Sequence, residues 1–82
     1  MMNSKGLSFG IYNRNDVLIA SNELSSYIST YKFNQKATLE ILTAAREAMY
    51  NVVKYATKGF LSAKKIESNR IVGVEIIVDD IG

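Results

Sequence analysis

The sequence contains no cysteine and no histidine. Without cysteine there is no disulfide scaffold and no thiolate metal site, which fits a reducing cytosol. Without histidine the chain lacks the commonest general base and the commonest metal ligand. A His-dependent hydrolase and a typical zinc site are thereby excluded. Charge of one sign is also scarce: ten basic and eight acidic residues leave a formal net charge of +2. The basic residues are spread out, and only Lys64 and Lys65 are adjacent. That is not the basic stripe of a nucleic-acid binder. No apolar run approaches membrane-spanning length and no signal peptide opens the chain. The expectation is a soluble, cytoplasmic protein that engages neither nucleic acid nor membrane.

What is present points to a folded unit. The chain has 82 residues, 48% of them hydrophobic and 22% charged. This is globular composition, in a chain long enough for one small core. Leu7 to Tyr12 alternates and reads as a strand. Asn13, Asn15 and Asp16 then break the pattern, and Asn15 or Asp16 is a natural helix cap. Val17, Ala20, Leu24, Ile28 and Tyr31 recur at helical spacing, so a first amphipathic helix is expected from Val17 to about Tyr31. Asn34 is a second cap, opening a longer helix from about Gln35 to Lys58. Its buried stripe is read as Leu39, Leu42, Ala45, Met49, Val52 or Val53, and Ala56. Its other side carries Glu40, Thr43, Glu47, Asn51, Lys54 and Lys58. Gly59 fits the left-handed residue that commonly ends a helix.

Phe60 to Ile66 reads as a strand and Glu67 to Arg70 as a hairpin turn. Ile71 to Asp79 is the strongest strand, with Val72, Val74, Ile76 and Val78 on one face. Asp79-Asp80-Ile81-Gly82 breaks that alternation. The order is β-α-α-β-β. The fold class is α+β: a two-layer sandwich of two helices on a small antiparallel or mixed sheet. Tyr27, Tyr31, Tyr50 and Tyr55 read as helix-packing residues with a wet hydroxyl rather than as a stacking platform for bases.

Two features can carry chemistry. Glu47 and Asn51 are four apart on the second helix, so they project from the same side one turn apart. A carboxamide oxygen is a hard ligand for Mg²⁺. A carboxylate beside it can orient or deprotonate an attacking hydroxyl, the division of labour that phosphoryl transfer needs. Asp80-Ile81-Gly82 follows a buried strand. A carboxylate there can accept a hydrogen bond from an exocyclic amine, and a glycine two residues on permits a sharp turn or a close approach to a ligand. Taken singly, the first pair is an ordinary solvated helix face and the second an ordinary strand end.

Their order is more informative. Glu47-Ala48-Met49-Tyr50-Asn51 is followed by Tyr55-Ala56-Thr57-Lys58-Gly59 at the helix end, then by a hairpin, then by Val78-Asp79-Asp80-Ile81-Gly82. This arrangement resembles the GHKL ATPase superfamily, its first segment the N box and its last the opening of the first glycine box. Within that superfamily the chain is similar to the anti-sigma-factor serine/threonine kinases, and the run Asn51-x-x-x-Tyr55-Ala56-x-Lys58-Gly59 resembles the stressosome switch kinases. The resemblance covers Ser8 to Gly82. It implies a histidine-kinase-like (Bergerat) fold and the cofactors ATP and Mg²⁺. Asn51 would coordinate Mg²⁺ on the ATP phosphates, and Glu47 would be the catalytic base or orienting group. Asp80 would bond the adenine amino group, and Gly82 would begin the loop past the nucleotide. The implied partner is an antagonist or scaffold protein with a STAS-type fold, or a sigma factor.

The resemblance further implies that residues 1–82 form the N-terminal part of a single ATP-binding domain, with the lid and the later glycine-rich segments beyond Gly82. An inactive kinase and self-association through an exposed sheet are the matching expectations. Detectable phosphate transfer by the 82-residue chain, or a strictly monomeric mass at all concentrations, would contradict them. Two rival readings stand beside it: a non-catalytic sequestering module on the same fold, and a fragment of a sensor histidine kinase. The second is at odds with the short N-terminal layout and the absence of any phospho-accepting histidine.

Overall fold

A computed structural model of the protein describes residues 6–56 and 58–80. Five elements follow the expected order: β1 (Leu7–Ile11), α1 (Arg14–Ser29), α2 (Gln35–Tyr55), β2 (Gly59–Ser68) and β3 (Ile71–Asp80). The fold is α+β, with both helices on one face of a three-stranded sheet ordered β1-β2-β3. Both pairings are antiparallel, which settles the choice left open by the sequence.

The helix starts are set by asparagine caps. Asn13 ends the extended stretch after β1, and its Oδ1 accepts the Asp16 N–H at 2.9 Å. Asp16 answers by accepting the Tyr12 N–H on Oδ2 at 2.8 Å. The cap of α1 is therefore Asn13, not Asn15 or Asp16. Asp16 works in the opposite direction, as the acidic member of a reciprocal pair. At α2 the expected cap holds: Asn34 Oδ1 accepts the Ala37 N–H at 2.7 Å. Beyond α1 the chain turns through Lys32, which has a left-handed φ of 58°.

The core joins the two layers. Ile11, Val17, Leu24, Ile28, Met49 and Leu61 are fully buried, with Ala20, Ala45, Val52 and Ala63 between them. The stripe expected on α1 is thus buried as far as Ile28, while Tyr31 lies past the helix end. On α2 the stripe is narrower than expected. Leu42, Val53 and Ala56 only flank the core, and Leu39 is 59% exposed. Leu39 lies six residues before Ala45, about 120° round the helix, and so faces away.

The α2 helix stops at Tyr55 because Ala56 takes an extended backbone (φ −127°, ψ 163°), while its N–H still bonds Val52 O at 2.9 Å. Gly59 does not end the helix. No described glycine has a positive φ, and Gly59 is the buried first residue of β2, paired with Ile11 and Asp80. Asp79 and Asp80 do not break β3 but pair with Phe60 and Gly59. The β2–β3 hairpin closes on Asn69 (φ 48°) and Arg70 (φ 70°). Two successive left-handed residues make the two-residue turn that matches strand twist. The far end of this hairpin projects beyond the helices: Ile71 is 72% exposed and Val72 37%. Val72 shares the face of Val74, Ile76 and Val78 but has no helix above it to bury it. Among the described residues no helix is long and apolar enough to cross a membrane.

Candidate functional site

The C-terminal half of α2 crosses the end of β3, and the gap between them is an open cleft of about 440 Å³. Ala48, Asn51, Val52 and Tyr55 line it from the helix, and Val78, Asp79 and Asp80 from the strand. The helix residues follow i, i+3, i+4, i+7 spacing, so one stripe of α2 forms one wall. Along β3 the alternation decides the opposite wall. Asp80 pairs with Gly59, which pairs with the buried Ile11. Residues directly opposed across antiparallel strands share a face, so Asp80 lies on the helix side of the sheet.

Two of the expected site residues are therefore brought together. Asn51 and Asp80, from different elements, line the same cleft. Glu47 lies one turn before Asn51, displaced about 40° round the helix. It is exposed and borders a separate shallow depression with Leu39, Glu40, Thr43 and Ala44. Gly82 lies outside the described residues.

Gly59 sits at the base of this arrangement, and its role is steric. A Cβ added there would come within 2.7 Å of Val52 Cγ1 and closer still to the Asp79 carbonyl oxygen. The absence of a side chain lets α2 approach the sheet where Val52 and Asp79 border the cleft. Neither Gly59 nor the apolar wall of Ala48, Val52 and Val78 was identified as part of a site from the sequence. The i, i+3, i+4, i+7 set around Asn51 was the available signal for that wall.

The chemistry of the cleft is polar at its ends and apolar between. Asn51 offers an amide oxygen. Asp80 offers an acceptor-only carboxylate when ionised. Among the described residues no group of three or more acidic side chains could hold a metal ion by itself. A cation here would take one protein oxygen from Asn51 and the rest of its shell from a bound ligand or water, a usual mode for Mg²⁺. Tyr55 borders the cleft and is 75% exposed, with the Lys54 ammonium 5.2 Å from its ring centroid.

The tyrosines do not all behave as expected. Tyr55 is too exposed to be a packing residue. Tyr27 packs edge-on against Tyr31 with centroids 5.3 Å apart. Its hydroxyl is not wet: it is buried without a hydrogen-bond partner among the described residues. Burial first, and the neighbouring Tyr31 second, push the Tyr27 hydroxyl up from 10.0 to about 12.

Comparison with known protein families, with characterised proteins and with solved structures finds no match to this chain.

Proposed function

We propose that the α2–β3 cleft is the adenine and metal end of an ATP site on a histidine-kinase-like fold. On this reading the chain is the nucleotide-binding part of a serine/threonine protein kinase that regulates a sigma-factor cascade in the cytoplasm. The observation that carries the reading is the convergence of Asn51 and Asp80 on one cleft from two elements. Asp80 accepts a hydrogen bond from the adenine amine, and Ala48, Val52 and Val78 provide an apolar surface for the base. The Asn51 amide oxygen takes one position on Mg²⁺. Bound Mg-ATP supplies the phosphoryl group. Glu47, one turn away on the exposed side, orients the hydroxyl of the protein being modified. That acceptor would be a STAS-fold antagonist or scaffold.

Among the described residues no basic side chain lines the cleft. Phosphoryl transfer depends on positioning and on neutralising phosphate charge. We therefore assign to these 82 residues nucleotide binding without transfer. The position of Glu47 on a separate depression favours a second reading, a module that sequesters its partner without phosphorylating it.

Calorimetry separates these ideas. Wild-type chain should bind Mg-ATP. Asn51→Ala should lose the gain that Mg²⁺ provides while keeping adenosine binding, and Asp80→Asn should weaken both. No heat with Mg-ATP and none with adenosine would sink the nucleotide reading. Phosphate transfer to a partner by these 82 residues would overturn the assignment of binding without transfer.

A further inference from the structure

We propose that the open seam between α1 and α2 docks an acidic, partly apolar segment of a protein partner. Arg14 in the first turn of α1 and Tyr50, Val53 and Lys54 of α2 line a cleft of about 530 Å³ there. Tyr50 and Val53 are half-buried and pack on the core from outside, which gives the cleft an apolar floor. Arg14 brings a basic side chain to the cleft from α1, and Lys54 brings one from α2. Arg46 lies one turn before Tyr50 and two before Val53, so it belongs to the same side of α2. Leu18, one turn on from Arg14, is 55% exposed and extends the apolar strip along α1.

The cations of this seam have no carboxylate partner among the described residues, and the contact of Lys54 is with the Tyr55 ring. The ion pairs among the described residues are Lys64–Glu75 and Lys65–Glu67, both on the sheet. Arg14, Arg46 and Lys54 make none. Among the described residues no acidic side chain lines the cleft. Cations that share a cleft repel one another when it is empty and are both satisfied when a carboxylate lies between them. A free anion would use the charges and leave Leu18, Tyr50 and Val53 in water. An amphipathic segment that alternates acidic and apolar side chains uses both, which is how polar rims and apolar centres combine at protein interfaces. This inference does not rest on the nucleotide reading, because the two clefts share no residue.

The test is fluorescence anisotropy with a fluorescein-labelled amphipathic peptide of leucine and glutamate, titrated with the 82-residue chain at low and physiological salt. Saturable binding that weakens with salt is expected. The same peptide with every glutamate changed to glutamine should bind about tenfold more weakly. Arg14→Gln and Lys54→Gln, both at exposed positions, should each weaken binding about three- to fivefold and flatten its salt dependence. Circular dichroism checks that these variants fold, and the glutamine peptide tests the charge requirement on unaltered protein. Equal binding of the two peptides, or none by the glutamate peptide, would overturn the proposal. So would tight binding of inorganic phosphate to the seam with no peptide binding, which would make it a small-anion site.

Discussion

Replacing Gly59 by alanine should unfold the protein more easily, although the usual expectation has the opposite sign. Gly→Ala at a position with ordinary φ commonly stabilises by about 0.4–1 kcal/mol, because the unfolded chain loses freedom. Gly59 has no positive φ to protect, so backbone conformation raises no objection. The objection is space. The new methyl would meet Val52 Cγ1 at 2.7 Å and the Asp79 carbonyl even more closely. Val52 is buried and Asp79 O is backbone, so neither can swing aside as a surface side chain would. Inserting a methyl into such a site costs about 1–3 kcal/mol. The net loss is then about 1–2 kcal/mol, or about 5–15 °C in Tm for a domain of this size. Thermal and urea unfolding followed by circular dichroism would measure it. Gly73→Ala is the control, because a Cβ there meets nothing within 4 Å; it should leave Tm level or slightly raised. Combining Gly59→Ala with Val52→Ala should give less than the sum of the two losses, since the second change removes one of the two obstructions. A Gly59→Ala variant as stable as wild type would refute the close approach of α2 to the sheet beside the cleft.

Two further predictions concern stability alone. Asn13→Ala should cost about 1 kcal/mol by removing the cap of α1, while Asn15→Ala stays within about 0.5 kcal/mol, as urea midpoints would register. Tyr27→Phe removes a buried hydroxyl that meets no hydrogen-bond partner in good geometry among the described residues, so it should be neutral or stabilising. The same residue sets a pH dependence. A phenol whose pKa is raised on folding favours the folded state below its unfolded value and loses that contribution as pH rises through the folded one. Stability of the wild type should therefore fall between pH 10 and about pH 12 more steeply than that of Tyr27→Phe. Equal slopes in alkaline unfolding curves would contradict the burial of that hydroxyl.

The element order is legible because the segments carry their own periods: alternation in Leu7–Tyr12 and within Ile71–Asp79, helical spacing from Val17 to Ile28 and from Ala45 to Val52. The structure departs from the sequence expectation where local chemistry leaves the choice degenerate. Asn13, Asn15 and Asp16 are all good caps, and only the backbone path out of β1 selects the first. Lys58-Gly59 after a helix has the local signature of a terminus, yet the demand for Gly59 comes from its tertiary contacts with Val52 and with the distant Asp79. At the site, the types of Asn51 and Asp80 suggested a role for each. Their shared cleft is a product of how α2 lies over β3, which no spacing along the chain encodes. The burial of the Tyr27 hydroxyl escapes the sequence for the same reason, since it is tertiary.

The sheet register also divides the chain by how its contacts are made. The β2–β3 hairpin zips from a two-residue turn, and α2 precedes it directly, so everything that lines the candidate cleft belongs to one contiguous stretch from Ala48 to Asp80. The first strand is different: Leu7 must find Ala63 across both helices. Closing so long a loop is entropically slow and brings its return only once the sheet already exists. β1 is a short edge strand held on one side only, so it can detach at a lower free-energy cost than global unfolding while the helix–hairpin unit persists. Its amides would then exchange with solvent sooner than those of β2, and the cleft would outlast the loss of the first strand.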